Sequence, residues 1–244
     1  MTKTDRLRAR VIMAAALASG IASVILFVAA PVGSLRAARL PWSEPALLAW
    51  DAGLSLLFFL QHSGMIREGF RARLVRVIPP RYFRAVYAIV SGIALAAVVV
   101  FWQPSAHHLL VIGGPARQVV QAAAILAIAG FLWGALALRR VDLFGLAPIQ
   151  AWLRATEVAK PDFVVSGPYR WVRHPFYLCA ILLIWSCPDL TSDRLLFNVL
   201  WTLWICLGAK LEEADLLREF DAAYRDYRRQ VPMLIPWRGS IPSA

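Results

Sequence analysis

Residues 11–30 read VIMAAALASGIASVILFVAA, an uncharged apolar run of the roughly 20 residues that a helix needs to cross a bilayer. A cleaved secretion signal would end its apolar core sooner and lead into a soluble domain. Here further apolar runs follow, so Val11–Ala30 is expected to be a retained first span. The same reading gives five more spans: 46–65, 85–102, 119–138, 176–190 and 195–210. The composition agrees. Of 244 residues 59% are hydrophobic and 17% charged, with a mean hydropathy of +0.59, against about 45–50% apolar and about 25% charged in soluble domains. The expectation is an all-α integral membrane protein of about six transmembrane helices, folded as a single membrane domain over 1–244. Its four-span part is 1–138, and 139–244 holds a loop, a short helical hairpin and an amphipathic cytoplasmic tail helix.

The net charge of +11 raises the question of nucleic acid, and the placement of the 26 Lys and Arg answers it. Four precede the first span, six lie between the second and third, six between the fourth and fifth, and six run from Lys210 onward. The opposite side holds Arg36, Arg39, Arg117 and Arg194, a distribution of 22 against 4. By the positive-inside rule both termini face the cytoplasm, and the expected location is the cell inner membrane, crossed several times. The basic excess is a topology signal with attraction to anionic lipid, so membrane lipid is the expected partner and nucleic acid is not.

Cys179, Cys187 and Cys206 have no paired spacing and sit in apolar segments, where Cys behaves as a small hydrophobe. His62, His107, His108 and His174 include no pair at i, i+4, and no metal is expected. The 139–175 segment is punctuated by Pro148, Pro161, Gly167, Pro168 and Pro175, too often for one helix. The last two spans are short, about 15 residues each, around the polar turn 189–194, where Ser192 or Asp193 is a candidate helix cap. An antiparallel hairpin centred there pairs positions equally far from the turn. Arg173 and His174 should therefore face Glu212 and Glu213 at the cytoplasmic boundary.

Three motifs carry chemistry. Gly167-Pro-Tyr-Arg-Trp-Val-Arg-His-Pro-Phe-Tyr177 places a turn, two arginines and a helix start at Pro175, whose free N–H groups and dipole favour an anion. Arginines before a span are also ordinary topology signals. Along the tail, Glu213, Leu216, Phe220, Tyr224 and Tyr227 share one helical face. That stripe also suits a helix lying on the bilayer, but adjacent carboxylates at a membrane boundary point to function. Gln61-His62-Ser63 ends the second span, where a lone His is more often an interfacial residue than a catalyst. Asp51, in the same span, is expected to reach interfacial water.

Gly-Pro-Tyr-x3-Arg-His-Pro-x-Tyr, the hairpin, the paired glutamates, Tyr-x2-Tyr and Val231-Pro-x-x-x-Pro236, in that order, resemble the isoprenylcysteine carboxyl methyltransferase superfamily over residues 165–237. Sterol reductases that use NADPH share a related C-terminal pattern. Gln61-His-Ser-Gly-Met65 and Asp142-Leu-Phe-Gly-Leu146 are similar to the methanethiol S-methyltransferase branch and its NnrU-like relatives, which extends the resemblance over most of the chain. It implies methyl transfer from S-adenosylmethionine to a small thiol, methanethiol or hydrogen sulfide. The implied cofactor contacts are Gly167, Tyr169, His174, Pro175, Tyr177, Glu213 and Tyr224, and the implied catalytic residues are Arg173, His62 and Glu212. Gln230 stands where isoprenylcysteine methyltransferases carry an Arg that handles a carboxylate, which favours the small thiol. The alternatives are an isoprenoid, prenylcysteine or lipid acceptor, an NADPH-dependent membrane reductase, and a non-enzymatic NnrU-like membrane protein.

Overall fold

The computed structural model describes residues 2–29, 39–138, 142–157 and 163–241. Ala30, Arg36 and Pro161, which entered the reading of spans, charge and loop, lie outside the described residues. In chain order the helices are α1 (Lys3–Ala29), α2 (Glu44–Met65), α3 (Glu68–Leu74), α4 (Phe83–Phe101), α5 (Gly114–Ala137), α6 (Ala147–Arg154), α7 (Pro175–Trp185) and α8 (Ser192–Gln230). Short 3-10 turns cover Pro80–Tyr82 and Gly167–Arg170. The protein is an all-α integral membrane protein, with helices at all six places where spans were expected. Among the described helices, four are long and apolar enough to cross a membrane: Lys3–Ala29, Pro80–Phe101, Gly114–Ala137 and Ser192–Gln230, with Pro175–Trp185 apolar but shorter. Their outward side chains are apolar, as at Leu126 (70% exposed) and Ile125 (68%), which suits lipid as the solvent.

The chain forms two compact units. The first comprises residues 1–103 and 142–160. Its core is Ala9, Ala16, Tyr82, Ala85 and Ile149. Small residues let α1 and α4 approach closely: a Cβ on Gly92 would stand 2.8 Å from the carbonyl oxygen of Ser19. Asp142-Leu-Phe-Gly-Leu146 is the docking loop of this unit. The Asp142 carboxylate accepts from the N–H groups of Leu146 (2.7 Å) and Ala147 (2.8 Å), satisfying free donors at the start of α6. The Phe144 ring fills the space over Gly20, and Gly145 turns at φ 72° against Arg84 and Ala85 of α4. Asp51 does not reach interfacial water as expected. It is fully buried and accepts from the N–H of Gln103 at 2.9 Å, because the chain leaving α4 folds back over it.

The second unit comprises residues 104–141 and 161–244. Here α5 and α7 pack through Gly130, whose Cβ would meet Cys179 Sγ at 2.5 Å, and Gly134, whose Cβ would meet the Phe176 ring at 2.9 Å. The polar turn after α7 is not only a turn. Residues Asp189–Thr191 form strand β2, paired antiparallel with β1 (His108–Val111) in the register Leu110↔Leu190. Arg117 holds the Asp189 carboxylate with two bonds of 2.9 Å. Thr191 is the residue flanking α8, and Asp193 instead accepts from the N–H of Ser105 at 3.0 Å. The expected sixth span and tail helix are one helix, α8, with a break in helical geometry at Asp221 (φ 38°).

Candidate active site

The second unit places its polar cluster where α7 begins, against the part of α8 that follows Lys210. Three local features aim it. Gly167 turns at φ 56° against α5, where a Cβ would come within 2.7 Å of Ala137 Cβ, so only glycine fits. Pro175 sits at the first helical position of α7. His174 flanks the helix in a non-helical conformation (φ −125°, ψ 67°) and makes no capping bond, which leaves its ring for α8.

Arg173 and His174 meet Glu213 directly. Arg173 Nε donates to Glu213 Oε1 at 2.6 Å, and His174 Nε2 donates to the same oxygen at 3.2 Å. The other His174 nitrogen lies 3.7 Å from Glu212 Oε2. The side chains of Arg173, His174 and Glu213 are 10% exposed or less, whereas Glu212 is half-exposed. Tyr177 Oη donates to Glu212 Oε2 at 2.8 Å, and its ring stacks on His174 with centroids 5.3 Å apart. The hairpin arithmetic thus brings together the residues it paired.

Arg173 also ties down the chain after α8. Its Nη1 donates to the carbonyls of Arg228, at 3.1 Å, and Val231. The backbone N–H groups of Arg173 and His174 donate to the carbonyls of Pro232 (2.9 Å) and Met233 (3.1 Å). The tail half of α8 packs its aromatic stripe on the loop before α7. Val165, Tyr224, Tyr227 and Val231 form a core with Phe163, Tyr169 and Phe220 around it. Tyr227 Oη donates to the Tyr169 carbonyl at 2.7 Å.

Burial by itself would raise the Glu213 pKa. The hydrogen bonds from His174 and Arg173 outweigh it and hold the carboxyl below the usual glutamate value. Burial pushes the phenols of Tyr169, Tyr224 and Tyr227 well above the usual tyrosine range. At neutral pH all three keep their protons, and Tyr227 donates its own to the Tyr169 carbonyl. Tyr224 is 2% exposed and its Oη has no partner among the described residues.

Next to the cluster lies an open cavity of ≈ 370 Å³ lined by Arg173, Lys210, Glu213, Ala214, Leu217, Arg228 and Met233. Lys210 and Arg228 are site residues that the sequence reading did not select. The signal for Lys210 was the spacing 210, 213, 214 and 217, which puts one charged and apolar face on α8 beside the aromatic one; Arg228 lies beyond the break at Asp221 and had no such signal. Arg228 Nε lies 3.5 Å from Glu213 Oε2. Gln230 is exposed, its amide donating to the Asp226 carbonyl at 3.4 Å.

Of the residues singled out from sequence, Gly167, Tyr169, Arg173, His174, Pro175, Tyr177, Glu212, Glu213 and Tyr224 all belong to the second unit. His62 belongs to the first, where Nε2 shares a 2.9 Å hydrogen bond with Tyr87 Oη and Gln61 Nε2 donates to Ser91 Oγ at 3.2 Å. No metal-holding group of three His, Cys, Asp or Glu occurs among the described residues.

A helical membrane fold with a buried Arg–His–Glu cluster beside a charged cavity defines the class of protein. Within it the chain belongs to the NnrU family, whose model, described as NnrU protein, matches residues 52–203. The matched stretch ends before Glu212, so the acidic pair and every cavity-lining residue except Arg173 lie beyond it. The chain is 36% identical over 200 residues to a methanethiol S-methyltransferase of Pseudomonas sp. (strain GM41(2012)), covering 80% of this chain and 75% of that one. It is 34% identical over 182 residues to a methanethiol S-methyltransferase of Mycobacterium tuberculosis, covering 74% and 75%. Nurim of Sus scrofa is 29% identical over 188 residues, covering 69% and 68%. No solved structure matches the chain.

Proposed function

We propose that this protein transfers a methyl group from S-adenosylmethionine to a small membrane-permeant thiol, methanethiol in the first place and hydrogen sulfide in the second. The observation that carries the reading is the cavity bordered by buried Glu213, in a chain that resembles methanethiol S-methyltransferases over most of its length. The residues present fit the cofactor. The cavity volume of ≈ 370 Å³ falls within the roughly 300–1,000 Å³ of small-molecule sites. Its wall joins apolar Ala214, Leu217 and Met233 to charged side chains, and the Tyr224 hydroxyl is a buried donor still to be used. The residues that would hold the cofactor are Gly167, Tyr169, His174, Pro175, Tyr177, Glu213 and Tyr224. When bound, it supplies a methyl carbon on a sulfonium, and the acceptor's sulfur lone pair forms the new C–S bond as the old one breaks.

The chain's own residues bind, orient and exclude water. Glu212 and Glu213 present negative charge to the cationic part of the ligand. Arg173 has Nε and Nη1 committed to Glu213 and two carbonyls, and the part proposed for it is to position Glu213. His62 is the base proposed for the thiol, since a thiolate is the competent nucleophile. In-line placement of sulfur and methyl carbon supplies the remaining gain.

The test uses purified protein in detergent with methyl-labelled cofactor and methanethiol, sulfide and farnesylcysteine in parallel, for the wild type and His62→Gln. Dimethyl sulfide from methanethiol is the expected product, with a slower His62→Gln variant. The farnesylcysteine arm is needed because Gln230 brings no charge, whereas Arg228 does line the cavity. Methylation of farnesylcysteine alone would reassign the acceptor. Hydride transfer from NADPH, or no reaction at all, would overturn methyl transfer. The protein is further proposed to sit in the inner membrane with both termini cytoplasmic, on the basic asymmetry. A cysteine introduced at 113 should label only from the outer side, and cytoplasmic labelling would invert the topology.

A further inference from the structure

The cavity wall carries three cations, Arg173, Lys210 and Arg228, and one carboxylate, Glu213. Glu213 and Arg173 neutralise one another through a 2.6 Å bond, and both are nearly buried. Glu213 also receives the His174 donor. What remains unmatched is the positive charge of Lys210 and Arg228. Arg228 touches Glu213 only at 3.5 Å, is nearly half exposed, and has a planar donor fork suited to a carboxylate. Lys210 is exposed and stands one helical turn before Glu213 on the same face of α8.

The start of α7 offers the opposite surroundings. Its anion-favouring N–H groups lie beside two carboxylates, with Glu213 on His174 and Glu212 on both His174 and Tyr177. A third carboxylate placed there would meet like charges. The site therefore has carboxylates at the start of α7, and its cavity wall adds the cations Lys210 and Arg228 and the apolar Ala214, Leu217 and Met233.

We infer that Lys210 and Arg228 form a carboxylate-binding subsite that holds the amino-acid end of the methyl donor, while Glu212 and Glu213 face its cationic groups. The inference rests on the methyltransferase reading and assigns two residues to it. It places the donor's carboxylate away from the helix start at Pro175, whose free N–H groups also favour an anion.

The subsite is tested with two probes that differ by one carboxylate: S-adenosylhomocysteine and S-adenosyl-3-thiopropylamine, its decarboxylated form. Titration of the full-length protein in detergent reads both affinities. The wild type should prefer the carboxylate-bearing probe. Arg228→Gln and Lys210→Gln should each weaken S-adenosylhomocysteine on the order of tenfold, the loss of one hydrogen bond to a charged group. The affinity for the amine should stay as in the wild type, which also reports that the variants are folded. Equal weakening of both probes, unchanged binding of both, or a wild type indifferent to the carboxylate would overturn the subsite and leave the methyltransferase reading in place. Binding of neither probe to the wild type would overturn that reading and the subsite with it.

Discussion

Glu213→Ala should abolish cofactor binding and, at the same time, destabilise the protein by about 3–5 kcal/mol, the cost of stranding one partner of a buried ion pair. Arg173 is 10% exposed and Glu213 7%, so removing the carboxylate leaves a guanidinium and an imidazole facing each other without a counter-charge. The effect extends to the fold, because Arg173 uses the same guanidinium to tie the carbonyls of Arg228 and Val231 to the start of α7. Thermal unfolding in detergent measures the loss. Glu212→Ala is the control: its side chain is 48% exposed, and a solvated contact is worth less than about 1 kcal/mol. The pH dependence has a definite sign. The Glu213 pKa is lowered on folding, so its contribution is complete above the ordinary glutamate value and is lost as pH falls through the depressed folded value. Wild-type melting should decline on acidification below that range, and Glu213→Gln should flatten this part of the profile. A Glu213→Ala variant as stable as Glu212→Ala would refute the buried-pair argument.

Gly145→Ala should have the second largest effect, and in the other unit. Gly145 turns at φ 72°, and a Cβ there would stand 2.3 Å from Arg84 Cβ, 2.5 Å from the Arg84 carbonyl carbon and 2.6 Å from Ala85 N. The left-handed conformation costs a non-glycine residue about 1–2 kcal/mol, and overpacking adds about 1–3 kcal/mol. Helix backbone cannot yield as a side-chain tip can, so the loop is expected to lift from α4 and take Phe144 off Gly20. Limited proteolysis within 142–154, together with the melting temperature, reads this. Gly64→Ala is the matched control: it lies in α2 with nothing within 4 Å of the added methyl group, so it should be neutral or slightly stabilising. Equal melting temperatures for the two variants would show that the 142–146 loop does not depend on this close approach.

The acceptor follows from less direct signals than the cofactor. The missing charge at Gln230 pointed to a small thiol, and Gln230 does project into solvent. Two positions earlier, however, Arg228 borders the cavity. If Arg228 is engaged by the methyl donor, as inferred above, it is not available to a carboxylate-bearing acceptor, and the small-thiol reading keeps its footing. The two-probe titration and the acceptor screen therefore bear on each other.

Hydropathy and basic asymmetry by themselves determined that this is a helical membrane protein, and they located a helix at each of the six expected places, because the cost of burying charge in lipid acts on composition alone. Spacing determined the meeting of Arg173 and His174 with Glu213, since two antiparallel helices rise by the same 1.5 Å per residue from a shared turn. Tertiary structure alone decided the rest. The pairing of β1 with β2 joins residues about 80 positions apart through backbone groups that carry no side-chain signal. Asp51 is buried by the backbone of Gln103, a contact that periodicity does not encode. Above all, sequence counts the cations near the acidic pair but does not say which are already spent. Arg173, the one most prominent in the motif, is bound to Glu213 and two carbonyls, while exposed Lys210 and half-exposed Arg228 line the same cavity with looser contacts. That allocation depends on distances of a few ångströms between side chains, which only the packed fold sets.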